Sequence, residues 1–344
     1  MVETFAPGHL EGLGLGYTTL QAVNPGVILT SVTPFGQTGP FRDYKGSDLI
    51  GLAMVRESPP DLVVMDVRLP RILSAAIVGA GLAISGVVFQ GILLNPLADP
   101  YTLGVSAGAA FGASLAILFN IGMMGSYSVP LFAFIGAVVT LLFVVYLSSS
   151  SGGLSSNNLI LSGIIVAAIL SAGISFLKYV ADEQVAVIIF WLMGSFGSKT
   201  WSDVGITFLF ILIGFLTFMF FSRDMNLLSL GHRTASSLGV DTRRTTIFLL
   251  VTASLVAAIC VSVSGIIGFV GLLVPHMMRL LTGPDNRRLI PMSLLAGAIL
   301  LLTADTITRA VLPSERPIGV LMALIGGPFF CYIFRKQQRT RRVL

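Results

Sequence analysis

Few side chains here could take part in chemistry, and those that stand out are spaced for charge pairing and backbone capping rather than bond making. Asp305 lies inside an apolar run with Arg309 four residues on, the spacing of an i,i+4 ion pair on a helix. A carboxylate in such a run is costly, so it marks either a structural ion pair or a transport pathway. Arg68 and Arg71 open another apolar run. Their forked guanidinium groups suit carboxylate recognition; capping of a helix start or contact with lipid headgroups is the competing reading. The same run ends at NPLADP, residues 95–100. Pro96 and Pro100 break a helix there, and Asn95 and Asp99 are able to cap freed amides. His276 follows Pro275 and reads as a packed polar contact. With 3 His and 2 Cys in all, and no metal-ligand spacing, neither a metal site nor a disulfide framework is expected. No GxxxxGK[ST] segment and no Gly-Lys dipeptide occurs, so the chain has no P-loop route to ATP hydrolysis.

The elements that position these residues follow from composition. The chain has 344 residues, 54% hydrophobic and 11% charged, where a soluble domain carries about 25% charged. Its mean hydropathy is +0.90. That balance excludes a soluble enzyme with a large core and indicates a polytopic α-helical membrane protein. Nine apolar stretches are expected to span: 72–94, 102–119, 128–147, 159–180, 204–222, 245–263, 266–281, 289–312 and 317–334. A shorter run at 185–194 reads as a surface or re-entrant helix. Glycines crowd the first two spans, among them Gly79, Gly86, Gly104 and Gly112, as close helix packing requires. Cys260 and Cys331 fall in apolar runs and read as core residues.

Charge is uneven along the chain. Residues 1–67 hold three basic and seven acidic side chains, net −4, and residues 68–344 hold eighteen and nine, net +9. Loops 223–244, 279–288 and 335–344 carry twelve Lys and Arg, against four (Lys178, Lys199, Arg309, Arg316) in the loops of the opposite side. The positive-inside rule makes the first group, and the C-terminus, cytoplasmic. Arg68 and Arg71 then precede the first span on the outer side, against the same rule, which points to a missing upstream helix. Residues 1–67 contain no span; 27–32 is a short strand-like run.

From Arg68 onward the chain resembles the permease family of type II ABC importers for iron-siderophores, haem and vitamin B12. The resemblance rests on ordered blocks: RLPR at 68–71, GAGLAISG at 79–86, NPLADP, and LGVSAGAAFG at 103–112. WLMGSFG at 191–197, MNLLSLGHRTASSLGV at 225–240, the 264–291 block around GFVGLLVPHMMRLL, and the terminal PIGVLMALIGGPFF follow. It implies an all-α polytopic membrane protein, here with nine transmembrane helices of a normally ten-helix bundle and a short non-membrane segment before them. Residues 5–54 are similar instead to an internal piece of family III CoA-transferases, most specifically at FGQTGP and the following D-L-I segment. The expected domains are therefore 1–61, a fragment that does not fold independently, and 62–344, the permease, joined between 55 and 62.

The resemblance also implies roles. The segment 225–240 forms two short helices broken at Gly231 and Gly239 and couples to the ATPase through Leu230, Gly231, His232, Ala235, Leu238 and Gly239. Family members commonly carry an acidic residue where this chain has His232. Arg68, Arg71 and Arg309 dock the substrate-binding protein. Asn95, Pro96 and Asp99 lie at the cytoplasmic gate. The expected function is import of an iron-siderophore, haem or cobalamin by alternating access at a homodimer interface in a bacterial plasma (inner) membrane. Expected partners are ABC ATPase subunits, a periplasmic or lipid-anchored binding protein and membrane lipid, with no nucleic acid. No cofactor is expected on this chain; ATP and Mg belong to the partner ATPase. No enzymatic activity is expected, CoA transfer included. The rival readings are an ion-coupled secondary carrier and a non-functional fusion product.

Overall fold

The computed structural model describes residues 2–3, 7–27, 29–31, 64–122, 125–149, 155–311 and 317–341. The FGQTGP turn, the D-L-I segment, the expected joint at 55–62, Arg316 and Arg342 lie outside the described residues. Contacts divide the chain into two units, Met1–Asp66 and Val67–Leu344.

Among its described residues the first unit holds helices α1 (His9–Gly12) and α2 (Tyr17–Val23) and strands β1 (Val2–Glu3) and β2 (Thr30–Ser31). The strands pair in parallel, Val2 opposite Thr30. Leu10 alone is a buried hydrophobic side chain among these residues, far short of what an independent core needs.

The second unit is helical. Its first helix, α3 (Leu69–Ile92), follows a π-helical turn, Val64–Arg68, that begins in the first unit, and carries Pro70 in its first turn, where a missing amide hydrogen costs nothing. Then come α4 (Val105–Leu118), α5 (Ser128–Ser149), α6 (Ser156–Val180), the short α7 (Val185–Leu192) and α8 (Trp201–Phe220). Two short helices, α9 (Ser222–Leu228) and α10 (His232–Ser237), lead to α11 (Thr242–Ser264). The last three are α12 (Val270–Thr282), α13 (Asn286–Val311) and α14 (Ile318–Arg341). Polar residues set several starts: Ser155 accepts from the Asn158 amide, Thr200 and Asp203 form a reciprocal cap on α8, and Asp241 accepts from the Arg244 amide, each satisfying donors that a helix start leaves open.

Each of the nine expected spans is a helix, so the chain is an all-α polytopic membrane protein. Among the described residues, six of these helices are long and apolar enough to cross a membrane. At 102–119 and 266–281 the helices are shorter than the apolar runs, with 14 and 13 residues, about 20 Å at 1.5 Å per residue, against a ~30 Å hydrocarbon core. Gly104 at φ 75 and the stretch from Gly265 (φ 72) to Phe269 (φ 68) leave the helical backbone and remove a turn from each. Irregular backbone at such depth is tolerated only inside protein. Val105, Ile267 and Val270 are accordingly buried.

Helices α3 and α11 form the centre, and most of their spanning windows is buried, whereas α5, α6, α8 and α13 bury only about a third of theirs. Leu161, Ile169 and Phe176 on α6 and Phe208 and Leu216 on α8 are exposed, the outward apolar faces of a bundle whose solvent is lipid. Packing at the centre needs small residues. A Cβ on Gly79 of α3 would collide with the carbonyl oxygen of Gly297 on α13, and one on Gly297 with that of Gly79. The two backbones cross in direct contact.

Candidate functional site

The antiparallel run of the helices separates the singled-out residues into two ends. At one end α3 begins, α13 finishes, and α8 starts. There Arg71 and Arg309 converge on one carboxylate. The Arg71 Nη2 and Nε donate to Asp305 Oδ1 at 3.0 and 3.2 Å, and its Nε also reaches Oδ2 at 3.3 Å. Arg309 Nε lies 3.1 Å from Asp305 Oδ2. Asp305 is 1% exposed, Arg71 12% and Arg309 33%. Two of the three arginines expected at the binding-protein face thus hold a buried carboxylate between them. Arg68, at the end of the π-helical turn, is exposed. The i,i+4 pair was legible from spacing. Arg71, 234 residues from Asp305, was not.

Near the same end a cavity of about 430 Å³ is lined by Ile117, Tyr127, Trp191, Lys199 and Asp203, among others. The Lys199 ammonium donates to the Val263 carbonyl at 2.6 Å. Burial lowers its pKa, with Asp203 acting in the opposite sense.

At the opposite end α3 stops at Ile92, three residues before Asn95. The hinge is built from capping. Asn95 Oδ1 accepts from the Leu97 amide at 3.0 Å, and Asp99 Oδ1 accepts from the Tyr101 amide at 3.0 Å. Thr102 completes a reciprocal cap by accepting from the Asp99 amide. The Tyr101 hydroxyl donates to the Ile267 carbonyl at 2.8 Å, tying the hinge to the α11–α12 connection. Pro96 is exposed. Burial pushes the Asp99 carboxyl up to about 6, with the Tyr101 amide opposing it.

The 225–240 segment folds as two short helices with breaks at Gly231 (φ 103) and Gly239 (φ 90). Leu230 and Leu238 are exposed at 63% and 58%, while Ala235 is fully buried. His232 opens α10 and Gly239 is exposed. The segment therefore offers two bare leucines on a backbone whose joint only glycine accommodates.

Two polar contacts at this end were not read from sequence. Gln90, buried in α3, donates to the Leu272 carbonyl at 3.2 Å and accepts from Arg279 Nη1 at 3.0 Å. A glutamine inside an apolar run was the available signal. Asn226 of α9 donates to Asp285 Oδ1 at 2.7 Å and accepts from the Asn286 amide and side chain at 2.9 and 2.8 Å. The Asn226 amide, with the Arg287 backbone amide next, holds the Asp285 carboxyl below the usual carboxylate range. Nothing in the spacing of residues sixty apart announces that bond. Among the described residues no cluster of His, Cys, Asp or Glu could hold a metal ion.

Residues 40–336 match the model of the FecCD transport family, and residues 1–55 match CoA-transferase family III. The chain is 43% identical to the cobalamin import system permease protein BtuC of Halobacterium salinarum over 278 residues, 80% of this chain and 74% of that one. It is 39% identical to the hemin transport system permease protein HmuU of Yersinia pestis over 282 residues, 80% of this chain and 84% of that one. In structure it is similar to an ABC transporter described as metal-chelate type and solved in an inward-facing conformation. The TM-score is 0.75 at 36% identity, over 86% of this chain and 91% of that one.

Proposed function

The chain belongs to the FecCD transport family, and from that premise we propose that it is the permease subunit of an ATP-driven importer of a metal chelate of the cobalamin, haem or iron-siderophore class. The observation that carries the proposal is the 225–240 segment: two short helices at one end of a polytopic bundle, with exposed Leu230 and Leu238 on a strained glycine joint. A separate ABC ATPase seats there, through Leu230, Gly231, His232, Ala235, Leu238 and Gly239, and supplies the ATP and Mg chemistry.

The basic loops next to this segment make it, and the C-terminus, cytoplasmic by charge bias, in a bacterial plasma membrane. Two copies form a homodimer, and substrate passes between them. A binding protein delivers substrate at the far end, where Arg68 is exposed. The capped hinge at Asn95, Pro96 and Asp99 lies beside the cytoplasmic gate. The chain makes and breaks no bonds. It offers two gate states whose balance the nucleotide state of the ATPase shifts, and it responds only so far as the ATPase binds the two states unequally.

The test is reconstitution of the chain with its ABC ATPase and binding protein in proteoliposomes, supplied in turn with cobalamin, haem and a ferric siderophore. ATP-dependent uptake of one of them is expected. An assembled complex that accumulates none of them, with or without ATP, overturns the reading.

A further inference from the structure

Among the described residues, the side chain of Asn226 ties the short-helix segment to the base of α13. Its amide nitrogen donates to Asp285 Oδ1 at 2.7 Å, and its oxygen accepts from the Asn286 backbone at 2.9 Å and the Asn286 side chain at 2.8 Å. All three contacts fall on the first residues of α13 or the residue before it. Asn286 is 5% exposed, and Met225 and Leu228, on either side of Asn226, are 1% and 2% exposed. Asn226 and Asp285 themselves are half-buried, so it is the buried neighbours on either side that hold α9 against this contact.

What α13 does next gives the link its consequence. Nineteen residues on, about 28 Å at the helical rise, the same helix presents Asp305 to Arg71 in the first turn of α3. Between these points α13 lies against α3 with Gly79 and Gly297 in backbone contact. Pro291, one turn above the Asn226 contacts, is the one proline inside α13. It removes a backbone bond to Arg287 and lets the base turn tilt on the shaft.

We propose that Asn226 is a positioning residue that clamps the ATPase-facing segment to the base of α13, so that displacement of α9 is delivered along α13 to the Asp305–Arg71 contact at the far end. The inference rests on the reading of 225–240 as the ATPase-coupling segment. A clamp of this kind sets how much substrate moves per ATP, not whether ATP is hydrolysed.

The experiment uses the full chain reconstituted with its ABC ATPase and binding protein. Asn226→Asp removes the donor and sets a second carboxylate against Asp285. Transport per ATP hydrolysed should fall at least fivefold, with ATPase capture and basal hydrolysis within twofold of the wild type. Adding Asp285→Asn reverses donor and acceptor and should return the ratio to within twofold. Where Asn226→Asp does not assemble, Asn226→Ala, which adds no charge, is read for the same fivefold loss. An assembled Asn226 variant with the wild-type ratio overturns the clamp, as does a loss that Asp285→Asn leaves unrestored. Failure of the wild-type chain to capture any ABC ATPase overturns the functional reading itself, and is distinguished from loss of the clamp by that capture step.

Discussion

Asp305 is the side chain on which most depends at the residue scale. It is 1% exposed and pairs with both Arg71 and Arg309. Removing one charge from a buried pair costs up to about 3 to 5 kcal/mol where the partner stays buried, and less here, where Arg309 is a third exposed. Asp305→Asn, which keeps the shape, should therefore lower the thermal melting point in detergent by several degrees. Arg309→Gln, at the more exposed partner, should lower it less. Equal melting of all three proteins would mean the cluster is not structural. Asp99 makes the second residue-scale prediction. Its carboxyl is raised by burial to about 6 from an unperturbed value near 3.9, so the folded chain holds a proton that the unfolded chain has released. Stability is then fully present below about pH 4, falls as pH rises to about 6, and is level above that. Asp99→Asn keeps an oxygen for the Tyr101 amide and should flatten that slope; unfolding curves at pH 4, 5, 6 and 7 decide it.

Among the elements, the joint between α9 and α10 is the most constrained. Gly231 has φ 103 and ψ 149, a region in which side chains other than glycine's cost on the order of 1 to 3 kcal/mol. Gly231→Ala should misdirect α10 and cut capture of the ABC ATPase about tenfold in a pull-down, while the melting of the bundle moves by no more than a degree or two. Unchanged capture would show that the segment does not seat the ATPase. The short α4 and α12 show where hydropathy misleads. Leu103 and Ile267 continue apolar runs, yet Gly104 and Gly265 take positive φ, and the helices lose a turn to buried irregular backbone. Composition reports apolar surroundings there, not helical geometry.

For the whole molecule, orientation is the property to test. A membrane-impermeant maleimide should label Ser198→Cys in intact cells and Ser237→Cys only after permeabilisation, in a background with Cys331→Ser, since Cys331 is exposed and Cys260 buried. The reverse pattern would invert the assignment of both ends. The course of the helices was legible because apolar runs and glycine breaks are local: α6, α8 and α11 begin within three residues of their expected starts, and Gly231 and Gly239 mark the breaks. The partnerships were not, because Arg71 with Asp305 and Asn226 with Asn286 are tertiary facts that no spacing encodes. The crossing of α3 and α13 at Gly79 and Gly297 has a consequence for descent with change. Each glycine is hemmed in by the other's carbonyl oxygen, a backbone atom that no trimming of a neighbouring side chain can move aside. Neither position has a compensable single-step route to a larger residue, and drift there requires both helices to re-cross at once.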